Sequence, residues 1–97
     1  MSAIKKLTYE DETHFIDELE YASGGLAVRT ATEVDGLYAS ISINIEGTPL
    51  SEGEFVLNHD ITRNYREALL ASGLFTDTGK RVTYGFVQGQ PVWKLNG

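Results

Sequence analysis

The sequence contains no cysteine, only two prolines and few basic residues. Without cysteine the chain can form neither a disulfide nor a thiolate metal site, and it has no cysteine nucleophile. Its apolar runs are too short to cross a bilayer as a helix. The N-terminal stretch MSAIKKLTYEDE lacks the apolar segment of a signal peptide. These absences predict a cytoplasmic protein without a membrane segment.

The shortage of basic residues gives the chain a net charge of −6, from 8 lysines and arginines against 14 acids. The acids are concentrated near the start, where residues 1–23 carry six of them against Lys5 and Lys6. Contacts to phosphate dominate nucleic-acid affinity, so the composition predicts no direct binding to DNA or RNA. The same field attracts a basic protein surface.

With 97 residues and an ordinary apolar fraction of 41%, the chain is expected to form a single domain over residues 1–97. Its pattern of elements predicts the order α-β-β-β-α-β-β. Strands joined by short turns pair antiparallel. The predicted fold is therefore an α+β two-layer domain, in which both helices pack on one face of an antiparallel sheet of about five strands.

The first predicted helix spans Thr8 to Ser23. Thr8 is a suitable N-cap and Asp11 suits a capping box. Gly24 and Gly25 suit the C-terminal end, because glycine accepts the left-handed conformation of a C-cap.

The segment LYASISINIE, Leu37 to Glu46, alternates apolar and polar residues and predicts one long strand with a buried and an exposed face. The predicted buried row is Leu37, Ala39, Ile41, Ile43 and Ile45, and the predicted exposed row is Tyr38, Ser40, Ser42, Asn44 and Glu46. Because Ile43 belongs to the buried row, its truncation to alanine is expected to be costly.

The C-terminal half predicts a helix over NHDITRNYREALLASG, with Asp60 as its cap. The residues predicted to face the core are Ile61, Tyr65, Ala68, Leu69 and Ser72, and Gly73 is predicted to end the helix. DTGKR is interpreted as a turn, and VTYGFVQ and VWKL as two strands joined by GQP. Tyr84, Phe86 and Trp93 are interpreted as core or interface residues, since aromatic side chains supply much of the buried area of a small domain.

Candidate chemistry is confined to two histidines. In TYEDETHFIDELEY, helical spacing would bring Glu10, His14 and Asp17 or Glu18 to one face, as in a metal site. The stretch lacks the second histidine of the H-E-x-x-H motif. His59 beside Asp60 suggests a general base, but no serine or cysteine nucleophile accompanies the pair. We therefore expect no catalysis, no metal and no cofactor, and keep a small enzyme or metal-dependent module around His14 and His59 as an alternative.

The segment SGLFTDTGKRVTYGFVQGQPVWKL resembles the ends of short uncharacterised proteins of phages and other mobile elements. Small acidic phage proteins include inhibitors of host defence, of the anti-CRISPR and anti-restriction types. The resemblance implies an accessory inhibitor that acts on a basic host protein or on a host defence nucleoprotein.

The sequence thus predicts a binding protein that uses an acidic surface against a basic partner. The residues predicted to contact the partner are Glu10, Asp11, Asp17, Glu18, Glu20 and Tyr38. A second alternative is a structural subunit that assembles through its sheet edge, and association with a second copy of the chain is left open.

Overall fold

The computed structural model describes residues 5–22, 25–45 and 50–96, which form eight β-strands and one α-helix. The strands are β1 (Lys6–Tyr9), β2 (Glu12–Glu20), β3 (Leu26–Thr32), β4 (Gly36–Ser40), β5 (Ser42–Ile43), β6 (Glu54–Leu57), β7 (Phe75–Tyr84) and β8 (Val87–Leu95), and the helix is α1 (Arg63–Ala71). They build two four-stranded antiparallel sheets, in the orders β1-β2-β3-β4 and β5-β6-β8-β7. The expected combination of antiparallel sheet and helix is present, but the predicted five strands and two helices are wrong.

The predicted helix from Thr8 to Ser23 is instead the β1–β2 hairpin, within the described part of that range. Glu10 and Asp11 form its two-residue turn with φ angles of 50° and 63°, the positive values that a type I′ turn requires. In β2 the core side carries the buried His14 and the half-buried Ile16. The pairing of this segment with β1 and β3 therefore overrides the helical spacing of its apolar residues.

The predicted strand Leu37–Glu46 is interrupted at Ile41, where the chain passes from the first sheet to the second. The Ile41 N–H donates to the Val28 carbonyl at 2.9 Å, and its own carbonyl accepts from the Asn58 N–H at 2.8 Å. Ile41 is thereby bonded to both sheets and is completely buried.

This interruption changes which of the predicted residues are buried. Leu37 is 57% exposed, whereas Ser42 is buried. The Ser42 hydroxyl accepts from the Val28 N–H at 2.9 Å and lies 2.8 Å from the Tyr21 hydroxyl. Ile43 is only half-buried on the edge strand β5, so truncating it should cost less than expected. Glu46 lies outside the described residues.

The helix α1 begins after Thr62, not at Asp60. The Thr62 hydroxyl accepts from the Tyr65 N–H at 3.3 Å, as an N-cap side chain does. Tyr65 and Leu69 are the buried residues of the helix, as the predicted spacing required. Gly73 follows with a φ of 78°, consistent with the predicted glycine end.

The predicted turn at DTGKR and the predicted junction at GQP both lie inside strands, and the actual turn is at Gly85 and Phe86. Pro91 is therefore within β8, a central strand that cannot use a proline N–H. It lies at a register shift opposite Arg81. The neighbouring Gln90 side chain donates to the Leu57 carbonyl at 2.8 Å and supplies a bond that the proline cannot make.

One hydrophobic core lies between the two sheets and the helix. The first sheet contributes Leu7 and Val28 and the helix contributes Leu69. The second sheet contributes mainly aromatic residues, with Phe55, Phe75 and Trp93 in mutual contact at ring-centroid distances of 5.8 to 6.5 Å. Trp93 is thus a core residue, whereas Phe86 is fully exposed at the β7–β8 turn.

The second sheet also holds one nearly buried acid, Glu54. Its carboxylate accepts two bonds from the Lys80 ammonium, at 2.9 and 3.0 Å, and one from the Ser51 N–H at 2.8 Å. The bond from Lys80, followed by that from Ser51, lowers the pKa of Glu54 from its ordinary value of 4.5. A lowered pKa stabilises the fold above pH 4.5, and this contribution is lost as the pH falls through the folded-state pKa.

We expect Glu54→Gln to be less stable than the wild type at pH 7, with the difference narrowing as the pH falls below 4.5. Urea unfolding of both proteins at pH 7 and pH 3 measures this difference. Glu67→Gln, which alters the exposed pair with Arg63, is the control and should follow the wild-type profile. A wild-type advantage that is as large at pH 3 as at pH 7 would contradict the assignment.

Candidate binding surface

The β1–β2 turn presents two carboxylates to solvent. Glu10 and Asp11 are both exposed. They are the only two residues between the paired Tyr9 and Glu12, so they form the tip of the hairpin. Glu12 follows as the first residue of β2 and pairs with Tyr9.

The β3–β4 turn presents two more carboxylates. The Thr32 hydroxyl accepts from the Asp35 N–H at 3.0 Å, and Gly36 completes the turn with a φ of 71°. The hydrogen bond uses the Asp35 backbone, so its carboxylate is left for solvent. Between the acids Glu33 and Asp35, Val34 is 81% exposed.

The strand register places these two turns side by side. Phe15 pairs with Ala31 across β2 and β3, so the same antiparallel register brings position 33 level with position 13. The two turns are about two strand spacings apart, ~10 Å. We refer to Glu10, Asp11, Glu12, Glu33 and Asp35 as the acidic end of the first sheet.

The acidic end has no neutralising cation among the residues that the structure describes. The ion pairs of the described chain are Lys5–Glu18, Arg29–Asp17, His59–Asp60, Arg63–Glu67, Lys80–Glu54 and Arg81–Asp77. None involves a member of the acidic end. Its five carboxylates therefore form no ion pair with a described cation.

The structure divides the six residues that the sequence predicted as a partner surface. Asp17 and Glu18 are consecutive in a strand and therefore point to opposite faces. Each also meets a cation, since Asp17 lies 2.9 Å from Arg29 and Glu18 lies 3.8 Å from Lys5. Glu20 is exposed at the opposite end of β2. The six residues do not share one helix face, because that helix does not exist.

Glu18 and Glu20 instead contribute to a groove of about 580 Å³ between the two sheets. Its walls also include Glu52 and the exposed leucines Leu19 and Leu50. This groove and the acidic end lie at opposite ends of β2, so they are two separate surfaces.

Tyr38, the sixth predicted residue, lies on β4 next to the acidic end and is 42% exposed. Its ring packs edge-on against His14, with centroids 4.5 Å apart, and also contacts the Tyr65 ring at 5.2 Å. Tyr9 completes this aromatic cluster of Tyr9, His14, Tyr38 and Tyr65. The cluster packs beneath the acidic end on the core side of the sheet.

Hydrogen bonds fix the centre of the aromatic cluster. The Tyr65 hydroxyl donates to the Thr30 hydroxyl at 2.8 Å and lies 2.9 Å from His14 Nδ1. Because the phenol has only one proton and directs it to Thr30, His14 Nδ1 carries the proton of the second bond. Burial raises the pKa of Tyr65 to about 12, so this phenol stays neutral.

The acidic end acts on Tyr9 at the edge of the cluster. Burial raises the pKa of Tyr9, and the nearby Glu10 carboxylate raises it further. Tyr9 is therefore a neutral phenol beside the turn.

The two histidines occupy different surroundings. His14 is 1% exposed within the aromatic cluster. His59 is exposed, with Nδ1 3.2 Å from the Tyr84 hydroxyl and Nε2 3.4 Å from Asp60. Within residues 5–22, 25–45 and 50–96, no group of three or more histidine and acidic side chains is placed to hold a metal ion.

The sequence reasoning missed Glu33 and Asp35. The missing information was the pairing of β2 with β3, which brings the two turns together. The β1–β2 hairpin was missed because the turn residues Glu10 and Asp11 lack the asparagine or glycine that usually marks a type I′ turn.

No protein family, characterised protein or solved structure shows significant similarity to this chain. In the described segments, no helix has the length and apolar character needed to cross a membrane.

Proposed function

We propose that this protein is a non-catalytic binding protein whose acidic end docks on a basic surface of a partner protein. The observation that carries the proposal is the set of five carboxylates, four in two adjacent turns and one at the start of β2, none paired with a described cation. Unpaired charge costs little on a solvated surface, but it accelerates association with a surface of opposite sign.

Apolar groups next to these charges support a contact surface rather than a merely solubilising one. Val34 is 81% exposed at the centre of the second turn, and the part-exposed Tyr38 lies on β4, the strand that follows this turn. Tyrosine is enriched in protein interfaces, where an apolar centre is surrounded by a polar rim. Within this proposal, the resemblance to phage and mobile-element proteins favours an accessory inhibitor of a host protein or nucleoprotein.

Burial argues against a reaction centred on His14. A catalytic base must come within hydrogen-bond reach of the substrate atom that it deprotonates. The His14 ring is enclosed by three tyrosines and is 1% exposed. Its bond to Tyr65 serves the packing of the aromatic cluster.

We expect Glu33→Lys with Asp35→Lys to weaken binding at least tenfold at low salt, about 1.4 kcal/mol. Both positions avoid the strained φ angles of Glu10 and Asp11. Surface charges contribute little to folding, so the free energy of unfolding should change by less than about 0.5 kcal/mol. Partners captured from host lysate by the wild type supply the ligand for affinity measurements at two salt concentrations.

The matched control is Glu20→Lys with Glu52→Lys, which changes the net charge by the same amount at the opposite end of the sheet. It should leave the affinity within about threefold of the wild type. Equal losses in both variants would show that only net charge matters. A loss of affinity in the control variant alone would instead identify the groove lined by Glu18, Glu20 and Glu52 as the binding surface.

A further inference from the structure

The edge strand β1 has a row of backbone groups that no described strand uses. It pairs only with β2, since the first sheet has the order β1-β2-β3-β4. Across the two-residue turn, Tyr9 and Glu12 exchange hydrogen bonds, as do Leu7 and His14 two residues further on. The Ile16 N–H donates to the Lys5 carbonyl at 2.9 Å. This bond confirms that hydrogen-bonded pairs alternate with non-hydrogen-bonded pairs along β1 and β2.

The intervening residues, Lys6 and Thr8, therefore direct their N–H and C=O groups away from β2. An extended chain laid beside β1 would find two donors and two acceptors at the spacing of an antiparallel or parallel ladder. Such free edges are the sites at which peptides add a strand to a sheet.

The structure leaves space at this edge. A groove of about 740 Å³ lies between β1 and the helix α1, and Lys6 and Thr8 are among its lining residues. Its volume falls within the range of ligand pockets, roughly 300–1,000 Å³. The opposite wall consists of the small helix residues Ala68 and Ala71, with Ser72 at the end of the helix. Small side chains on that wall leave room for the side chains of an added strand.

Charge indicates which peptide fits. Lys6 is the only charged residue that lines the groove, and its ammonium group has no ion-pair partner among the described residues. The neighbouring Lys5 is already engaged with Glu18. A peptide carboxylate placed next to Lys6 would therefore form an ion pair with an ammonium group that no described acid already engages.

We propose that the groove between β1 and α1 binds an extended peptide by strand addition, with main-chain bonds to Lys6 and Thr8 and a peptide carboxylate at Lys6. The carboxylate comes from an acidic side chain or from the C-terminus of the peptide. This surface is separate from the acidic end and extends the protein's binding capacity beyond the proposed function.

The test is a selection of random octapeptides, displayed with free C-termini, against the wild-type protein. We expect enriched peptides with a carboxylate at a constant position. Ala71→Trp, which fills the groove from an exposed helix position, should weaken their binding at least tenfold. Leu70→Trp adds the same side chain on the opposite side of the helix and should leave the affinity within about twofold. No enrichment, or equal binding by Ala71→Trp, overturns the proposal.

Two further arms examine the recognition chemistry with the enriched peptides. The N–H groups of only every second peptide residue should point to β1. N-methylation of those residues should abolish binding, and N-methylation of the residues between them should not. Lys6→Ala should remove the preference for a carboxylate. Amidation of the C-terminus distinguishes a terminal carboxylate from a side-chain one. Binding that tolerates N-methylation of both sets of residues overturns strand addition. Charge reversal at Glu33 and Asp35 should leave peptide binding intact, so failure of either proposal is recognisable separately.

Discussion

Trp93→Ala should lower the free energy of unfolding by about 3–5 kcal/mol, the largest loss that we expect from a single substitution. Trp93 is 1% exposed and packs against Phe55 and Phe75 at the centre of the core. Removing the indole leaves a cavity among large rings that cannot collapse on it. Because small domains are only marginally stable, most of the chain should unfold at moderate urea concentration. Equilibrium urea unfolding followed by circular dichroism gives the value.

Phe86→Ala is the matched control for this substitution. Phe86 is also a large aromatic residue of the β7–β8 hairpin, but it is fully exposed at the turn. Its truncation should change stability by less than about 0.5 kcal/mol. Similar losses at both positions would mean that Trp93 is not enclosed between the sheets.

Tyr65→Phe should cost about 1–3 kcal/mol, although it removes a single oxygen atom. The Tyr65 hydroxyl bonds the Thr30 hydroxyl and His14 Nδ1. Both partners are at least 99% buried, so neither can replace the lost bond with bulk water. The cost is therefore the penalty for unsatisfied buried polar groups rather than for lost packing. Urea unfolding at pH 7 measures it.

Tyr38→Phe provides the comparison within the same aromatic cluster. Tyr38 contacts His14 and Tyr65 through its ring, and its part-exposed hydroxyl has no hydrogen bond to a described residue. Removing that hydroxyl should change stability by less than about 0.5 kcal/mol. A cost for Tyr65→Phe no greater than for Tyr38→Phe would contradict the hydrogen-bonded centre of the cluster.

The sequence predicted one element, the helix of the C-terminal half, close to its position in the structure. The helix around Tyr65 and Leu69 was recognised because apolar spacing, a glycine end and polar flanks all agreed. In TYEDETHFIDELEY the spacing of Phe15, Ile16 and Leu19 favoured a helix, whereas the structure forms a strand with His14 and Ile16 on its core side. The correct choice depended on the pairing with β3, which is not encoded within the segment itself.

The candidate surface also depends on strand pairing that the local sequence does not encode. The excess of acid near the start of the chain was evident from composition, and Glu10 and Asp11, which were predicted to contact a partner, are exposed. Their neighbours Glu33 and Asp35 are more than twenty residues away in sequence and become adjacent only through the register of β2 with β3. Conversely, Asp17 and Glu18 seemed equivalent to Glu10 in sequence, but Arg29 and Lys5 neutralise them in the fold.

The crossing of the chain from the first sheet to the second at Ile41 affects how the protein folds while it is being synthesised. All four strands of the first sheet lie before this residue and consist of neighbouring hairpins, so they can pair as soon as they leave the ribosome. Their apolar side, with Leu7 and Val28, packs against core residues that follow Ile41 in the chain, from Phe55 to Leu95. We therefore expect the nascent chain to expose this side until that segment has emerged. During that interval, charge repulsion between the acidic turns should oppose association of unfinished chains.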